Sequence, residues 1–279
     1  MFIESLEPSV VLPAMDANMA AFWSEYGRAS GCALETVGAG TWFYSGIPHP
    51  FFNGVPRAVF DDVQLHQVVD ALGRRIREAG APAFWWVGAH STPTSIASQL
   101  AEAGINRVGT VPAMAIDLRH AGSIEAPVEG LSIQRVDSAS QQAVWGRVAA
   151  AGSGFAQVAT EALAGLEGRL AGSSYRAQHR YLGLLNGQPI AASAMVLAGG
   201  VAGIYAVATL PEARNLGIGR AMSVAPLLAA QDAAMAGAER ISLPLLVLYG
   251  TEDQVVDIAF IEALYERVSS HDKTIERYQ

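Results

Sequence analysis

Apolar positions recur at the 3.6-residue spacing of an amphipathic helix over residues 14–30, 65–79 and 92–104. The second of these, LHQVVDALGRRIREA, runs into Gly80, the residue type that closes a helix in the left-handed conformation. The third is entered at Pro93 and stopped at Gly104. Short apolar or aromatic runs between them predict strands at 41–44, at 83–87 (AFWWV) and at 113–118, with a turn-rich loop over 46–56. Residues 119–130 carry Gly, Ser, Pro and charge without periodicity and read as a linker. The cycle then restarts, with a short strand at Ile133 and helices over 138–151 and 160–170. Strands at 181–185 and 190–197 flank Asn186-Gly187, the strongest short hairpin signal. A strand at 204–209 leads to an Ala-rich helix over 217–235, ended by Gly237 and carrying Pro226, which predicts a kink or a place near the first turns. Strands and helices follow in similar order in both halves. This predicts an α/β (α+β) chain with an internal duplication, divided into residues 1–122 and 123–279.

Composition narrows the reading. Half of the 279 residues are apolar and 16% are charged, which supplies a core and excludes general disorder. A net charge of −8 argues against a nucleic-acid surface, which needs clustered Lys and Arg. Cys32 is the single cysteine, so no internal disulfide is expected. The first 15 residues carry Glu4 and Glu7 and no basic segment, so they do not read as a secretory signal, and a cytoplasmic protein is expected. Residues 191–210 are uncharged over a membrane-span length, but Gly199-Gly200 divide them into two strand-length halves, which predicts a hairpin and no membrane. The six histidines show no metal-ligand spacing.

The sharpest local feature is VATLPEARNLGIGRAM over 207–222, a strand, a turn and an R-x-x-G-x-G segment before a long helix. Amides at a helix N-terminus lack intrahelical partners and face the positive end of the dipole. Gly217 and Gly219 would let that backbone approach a pyrophosphate, with Arg214 and Arg220 adding charge. Gly219-Arg220-Ala221 does not supply the Lys-Ser/Thr of a P-loop, and the third glycine of a dinucleotide fingerprint is absent. Taken alone, the glycines could simply start a helix.

In its setting the loop resembles the core of the GNAT superfamily of N-acetyltransferases, over residues 181–242, with hairpin, strand, R-x-x-G-x-G loop and helix in that family's order. Phe43-Tyr44-Ser45-Gly46-Ile47-Pro48, Phe52-Asn53-Gly54-Val55 and Trp85-Trp86-Val87-Gly88 resemble a tandem actinobacterial-type group of the same superfamily. The resemblance implies two tandem GNAT-like mixed-sheet units. The first lacks the loop and is degenerate; the second binds acetyl-CoA. By resemblance, the backbone of Arg214, Asn215, Leu216, Gly217, Ile218, Gly219 and Arg220 holds the pyrophosphate of coenzyme A. The strand Val207-Ala208-Thr209 lies along the pantetheine arm, main-chain groups of Val207 and Thr209 pairing with it. The implied activity is direct acetyl transfer to a small-molecule amine, assisted by a base and an acid.

The family often places a carboxylate on the strand before the loop, and Ile204-Tyr205-Ala206 has none. Glu161 and Glu167 lie where the acceptor site is usually covered, though both read first as solvated helix residues; Tyr205, Trp42, Trp85 and Trp86 read first as packing residues. Arg176, His179 and Arg180 form a basic cluster that could meet a nucleotide phosphate or a solvated turn. Residues 244–279 depart from the family and resemble a fragment of a monoacylglycerol-lipase-type α/β-hydrolase, with a strand over 245–249 before Gly250-Thr251-Glu252-Asp253. No G-x-S-x-G occurs in the chain, so a hydrolase triad is not expected. If this tail replaces the family's last elements, Tyr265 stands in its Tyr-bearing helix and would act as the acid. The second class of function left open is a non-catalytic acyl-CoA sensor, and oligomeric state is not legible.

Overall fold

The chain divides into two units, residues 19–109 and residues 1–18 together with 110–279, and each builds its own sheet. The computed structural model describes residues 3, 5–37, 40–88, 90–111, 113–117, 127–170, 178–236 and 244–248.

Helix α1 (Pro8–Ser24) begins in the second of these units and ends in the first. It starts earlier than the pattern predicts and continues through Pro13. In the 19–109 unit, β1 (Ala33–Val37), β2 (Gly40–Tyr44), β3 (Asn53–Val55) and β4 (Phe84–Trp85) pair in that order, the last pair parallel. Helix α2 (Asp62–Ala79) is closed at both ends by its own residues. The Asp61 carboxylate accepts from the Gln64 amide at 2.6 Å, the Gln64 side chain bonds back to Asp61, and Gly80 takes φ 62°. Its apolar stripe, Leu65, Val68, Val69 and Leu72, packs with Trp42, Val55 and with Ile96 and Leu100 of α3 (Ile96–Glu102). Trp86 stacks on Trp23 at 5.4 Å, and Trp85 packs against the cluster.

The FYSGIP and FNGV signatures are structural. Fully buried Asn53 accepts from the Ser45 amide at 3.0 Å, and its Nδ2 reaches the carbonyls of Ile47, His49 and Pro82 at 2.8, 3.2 and 3.0 Å. One amide thus ties the loop 45–53 to the strand beside it.

The other unit has six strands in the order β5 (Ala113–Asp117), β10 (Pro244–Leu248), β9 (Val201–Thr209), β8 (Gln188–Ala198), β7 (Gln178–Leu185), β6 (Leu131–Arg135). Asn186 and Gly187 take φ 51° and 82° in the β7–β8 turn, as expected of that pair. The uncharged stretch 191–210 is β8, a Gly199-Gly200 turn and β9; among the described residues no helix is long and apolar enough to cross a membrane. Helix α6 (Ile218–Ala236), which contains Pro226, covers one face through Ile218, Met222 and Leu227 on Met195, Ala202 and Ile204. Helix α4 (Ala139–Gly152) packs on β7, β8 and β9, and α5 (Gln157–Leu170) packs against α4. A Cβ on Gly146 would lie 3.0 Å from the Leu163 carbonyl, so glycine sets the closeness of α4 to α5.

One pairing differs from the sequence reading. The strand at 113–117, expected to close the first half, pairs antiparallel with β10 of the other sheet. The compact units accordingly part at 18/19 and 109/110, whereas the sequence pattern places its division at 122/123. Residues 244–248 of the hydrolase-like tail form a strand between β5 and β9. Strand partners are chosen over long sequence separations, which local pattern does not encode.

Candidate functional site

Strand β9 is paired with β8 along its length but with β10 only at Ala202, Gly203 and Ile204. From Tyr205 to Thr209 its other edge has no strand partner among the described residues. The Leu210 amide donates to the Ile190 carbonyl at 2.8 Å, which sets the alternation of the antiparallel ladder. Ala208 therefore faces β8, and the main-chain groups of Val207 and Thr209 face the open edge. The register slips between Ala192↔Ala208 and Ala194↔Tyr205, so Ala206 and Val207 together oppose Ser193 in a bulge. Ala206 takes φ 51°, a conformation that costs an alanine about 1 kcal/mol. Opposite it, the Ser193 carbonyl accepts from Trp145 Nε1 at 2.9 Å, and Tyr205, immediately before it, donates to Asn18 Oδ1 at 2.7 Å. Thr209 is buried, and its Oγ1 has no hydrogen-bond partner among the described atoms.

Beyond Leu210 the chain makes a 3₁₀ turn (Pro211–Ala213) and enters the glycine loop. The Arg214 side chain folds back: Nε donates to the Thr209 carbonyl at 3.2 Å and Nη2 to the Gly152 carbonyl at 3.0 Å. It joins the end of β9 to the last turn of α4, so its side chain braces the loop. Asn215 and Gly217 take φ 64° and 77° and are exposed with Leu216, while Ile218, the first residue of α6, is buried in the core. The first intrahelical bond runs from the Ala221 amide to the Gly217 carbonyl. Gly217 is therefore the N-cap without a side chain to cap with, and the amides of Ile218, Gly219 and Arg220 precede the intrahelical ladder. The first turn of α6 has no acidic residue. A helix start whose cap residue is glycine and whose first turn has no carboxylate suits an anion.

Open strand edge and helix start are thus contiguous, from Val207 to Arg220. These are the residues that a chain of amide and phosphate groups would need: main-chain partners along β9, then amides and positive dipole at α6.

The side chains weighed for proton transfer are engaged elsewhere. Glu161 is exposed and bidentate to Arg147 at 3.0 and 2.8 Å, and that hydrogen bonding holds its carboxyl below the usual range. Glu167 is fully buried, which corrects the solvated reading: it lies in the tight α4–α5 contact and grips Arg180 at 3.0 and 3.2 Å. Arg180 also lies 4.7 Å over the Trp145 ring, so the basic cluster does not leave it to a phosphate. Burial, then the charges of Arg135 and Arg180, pushes His179 below the usual imidazole range. Tyr205 is a packing residue, as expected, and burial raises its hydroxyl well above the phenolic range. Arg176 and Tyr265 lie outside the described residues. Sequence reasoning missed Asn18 and Trp145. Asn18 interrupts an apolar helical stretch four residues after Ala14, and that core-facing spacing was the available signal.

The arrangement matches solved structures along almost the whole chain. A GCN5-related N-acetyltransferase from Kribbella flavida is 17% identical, with 92% of this chain and 93% of that one covered and a TM-score of 0.54. A tandem GNAT protein from the clavulanic acid biosynthesis pathway is 13% identical, with 94% and 92% covered and a TM-score of 0.50. None of the curated proteins compared with the chain matches it. The family model described as serine aminopeptidase, S33, matches residues 214–279, well under half of the chain, in keeping with the hydrolase-like tail. At these identities the likeness speaks for architecture, and what it establishes is that this two-sheet chain has the GNAT acetyltransferase fold.

Proposed function

We propose that the chain is an acyl-CoA-dependent N-acyltransferase that moves an acetyl group from acetyl-CoA to a small-molecule amine by direct transfer. One observation carries this reading. Among the described residues β9 pairs with β10 only through Ile204, with Val207 and Thr209 facing the edge beyond, and that edge runs into the start of α6, where the cap residue is glycine and the first turn has no acid. The buried, unpartnered Thr209 Oγ1 is a further polar group on this strand left over by the fold's own bonding. In this reading residues 123–279 carry the cofactor site, residues 1–122 are a copy without one, and the protein works in the cytoplasm.

Main-chain groups of Val207 and Thr209, on either side of Ala208, would hold the pantetheine arm. The backbone of Arg214, Asn215, Leu216, Gly217, Ile218, Gly219 and Arg220 would hold the pyrophosphate. When bound, acetyl-CoA supplies an activated acetyl thioester. The bulge at Ala206 turns the following amide out of the regular ladder, which suits it to orient a carbonyl rather than pair a strand. Tyr265 is the proposed acid.

A second reading, a non-catalytic acyl-CoA sensor, is favoured by the engagement of Glu161, Glu167 and Tyr205 in structural bonds. Calorimetric titration with acetyl-CoA and desulfo-CoA, with thiol release followed in the presence of an amine panel, separates the readings. Micromolar binding lost in Gly219→Glu, with amine-dependent thiol release, is the expected result. Binding without release selects the sensor, and absence of binding overturns both.

A further inference from the structure

We infer that Asn18, on the helix at the start of the chain, is a positioning residue for the β9 bulge, and hence that the first 18 residues are a working part of the acyl-CoA unit. The inference rests on the functional reading above for its catalytic consequence, but its structural half stands on the residues alone.

Asn18 is fully buried. Its Nδ2 lies 3.0, 2.9 and 3.0 Å from the carbonyls of Val196, Ala198 and Val201, closing the end of the β8–β9 hairpin. Its Oδ1 accepts from the Tyr205 hydroxyl at 2.7 Å. Donors and an acceptor in one short planar group are needed at once, which asparagine supplies and aspartate or leucine does not. The fit is close: a Cβ on Gly203 would overlap Asn18 Oδ1 and lie 2.5 Å from the Tyr205 ring, so amide and phenol lie across a bare glycine. The helix backbone is equally near, since a Cβ on Gly199 would lie 2.6 Å from the Ala14 carbonyl, and the Ile3 amide donates to Gly200 at 2.9 Å.

Tyr205 directly precedes Ala206, whose left-handed backbone makes the bulge. A strained residue holds its conformation only where its neighbours over-determine it. Asn18 fixes the residue before it, and Trp145 fixes the carbonyl opposite it. Releasing the first would let Tyr205 and Ala206 relax and turn the Val207 amide, while the glycine loop at 214–220 stays as it is. With the pyrophosphate contacts kept, the expected signature is a loss in the chemical step well above any loss of cofactor affinity.

Two variants of the full chain test this. Tyr205→Phe removes a single oxygen and keeps the packing; Asn18→Leu removes the whole polar group. Amide hydrogen exchange of the ligand-free protein at 206–209 is expected to quicken about tenfold or more in both, with exchange in β7 unchanged. In Tyr205→Phe, kcat is expected to fall about tenfold while the acetyl-CoA Kd stays within about twofold. Unchanged exchange at 206–209 in both variants overturns the inference. So does unchanged kcat, or a fall in kcat matched by an equal loss of affinity. Should the wild type bind no acetyl-CoA, the functional reading fails separately, and the exchange result alone decides the role of Asn18.

Discussion

Two helix starts, α2 in the 19–109 unit and α6 in the other, solve the same problem in opposite ways. At α2 the chain satisfies itself: Asp61 and Gln64 cap each other's amides and place a carboxylate at the positive end of the helix. At α6 the cap position is Gly217, which has no side chain to cap with, and the first turn has no acid. The strands differ likewise. β3 is paired on both sides, by β2 and β4, with glycine at Gly54 because the Phe84 backbone leaves no room for a Cβ. Among the described residues β9 is paired by β10 only as far as Ile204, and it carries a strained alanine two residues on. The difference teaches that two sheets flanked by helices in similar order can differ in which backbone groups their own side chains and strands occupy.

Importing the α2 solution into α6 should have the largest effect. Gly217→Asp puts a carboxylate where the phosphates are proposed to sit, on a residue with φ 77°. Acetyl-CoA affinity measured by calorimetry is expected to fall at least about a hundredfold, roughly 3 kcal/mol or more, from lost anion attraction and added repulsion. A near-normal affinity would mean that the helix start does not hold the phosphates. Next comes the brace: Arg214→Ala leaves the Thr209 and Gly152 carbonyls without their guanidinium. A loss of about 1–3 kcal/mol, seen as a ten- to hundredfold fall in kcat/KM, is expected, with Arg214→Lys intermediate.

The same operation on the self-satisfied helix should be small and silent for binding. Asp61→Ala is expected to cost about 1 kcal/mol of stability in a denaturant titration and to leave acetyl-CoA affinity unchanged. The smallest effect is a pH slope. His49 in one unit and His179 in the other are both held below the usual imidazole range, chiefly by burial. Above about 6.5 their contribution to stability is fully present. As pH falls below that value the unfolded chain takes up protons that the folded one refuses, so stability drops until the folded pKa is passed. Thermal melts from pH 7.5 to 5 should show this decline, and His179→Asn should flatten part of it; an unaltered slope would place the titration elsewhere.

Much of this was legible in the chain. The Asn186-Gly187 turn, the helix over Asp62–Ala79 with its Gly80 stop, and the hairpin about Gly199-Gly200 are local, because φ preferences and apolar period act over a few residues. The glycine loop was legible for the same reason: its conformation is written in Asn215, Gly217 and the helix behind them. Its side chain was not. Arg214 reads in sequence as phosphate charge, and only the approach of α4 brings the Gly152 carbonyl to it. Glu167 reads as a surface residue, and only the Gly146 contact buries it against Arg180.

The sequence by itself determined the element order, the turns, the glycine cap position and acid-free first turn of α6, and the absence of a carboxylate on the strand before it. Tertiary structure alone decided that residues 113–117 and 244–248 join one sheet, that among the described residues β10 pairs β9 only as far as Ile204, and that Asn18 reaches across 187 positions to hold Tyr205. The reason is physical. Turn and helix preferences are set by sterics within a few neighbouring residues, whereas strand partners, buried pairs and open edges depend on which distant surfaces exclude water together.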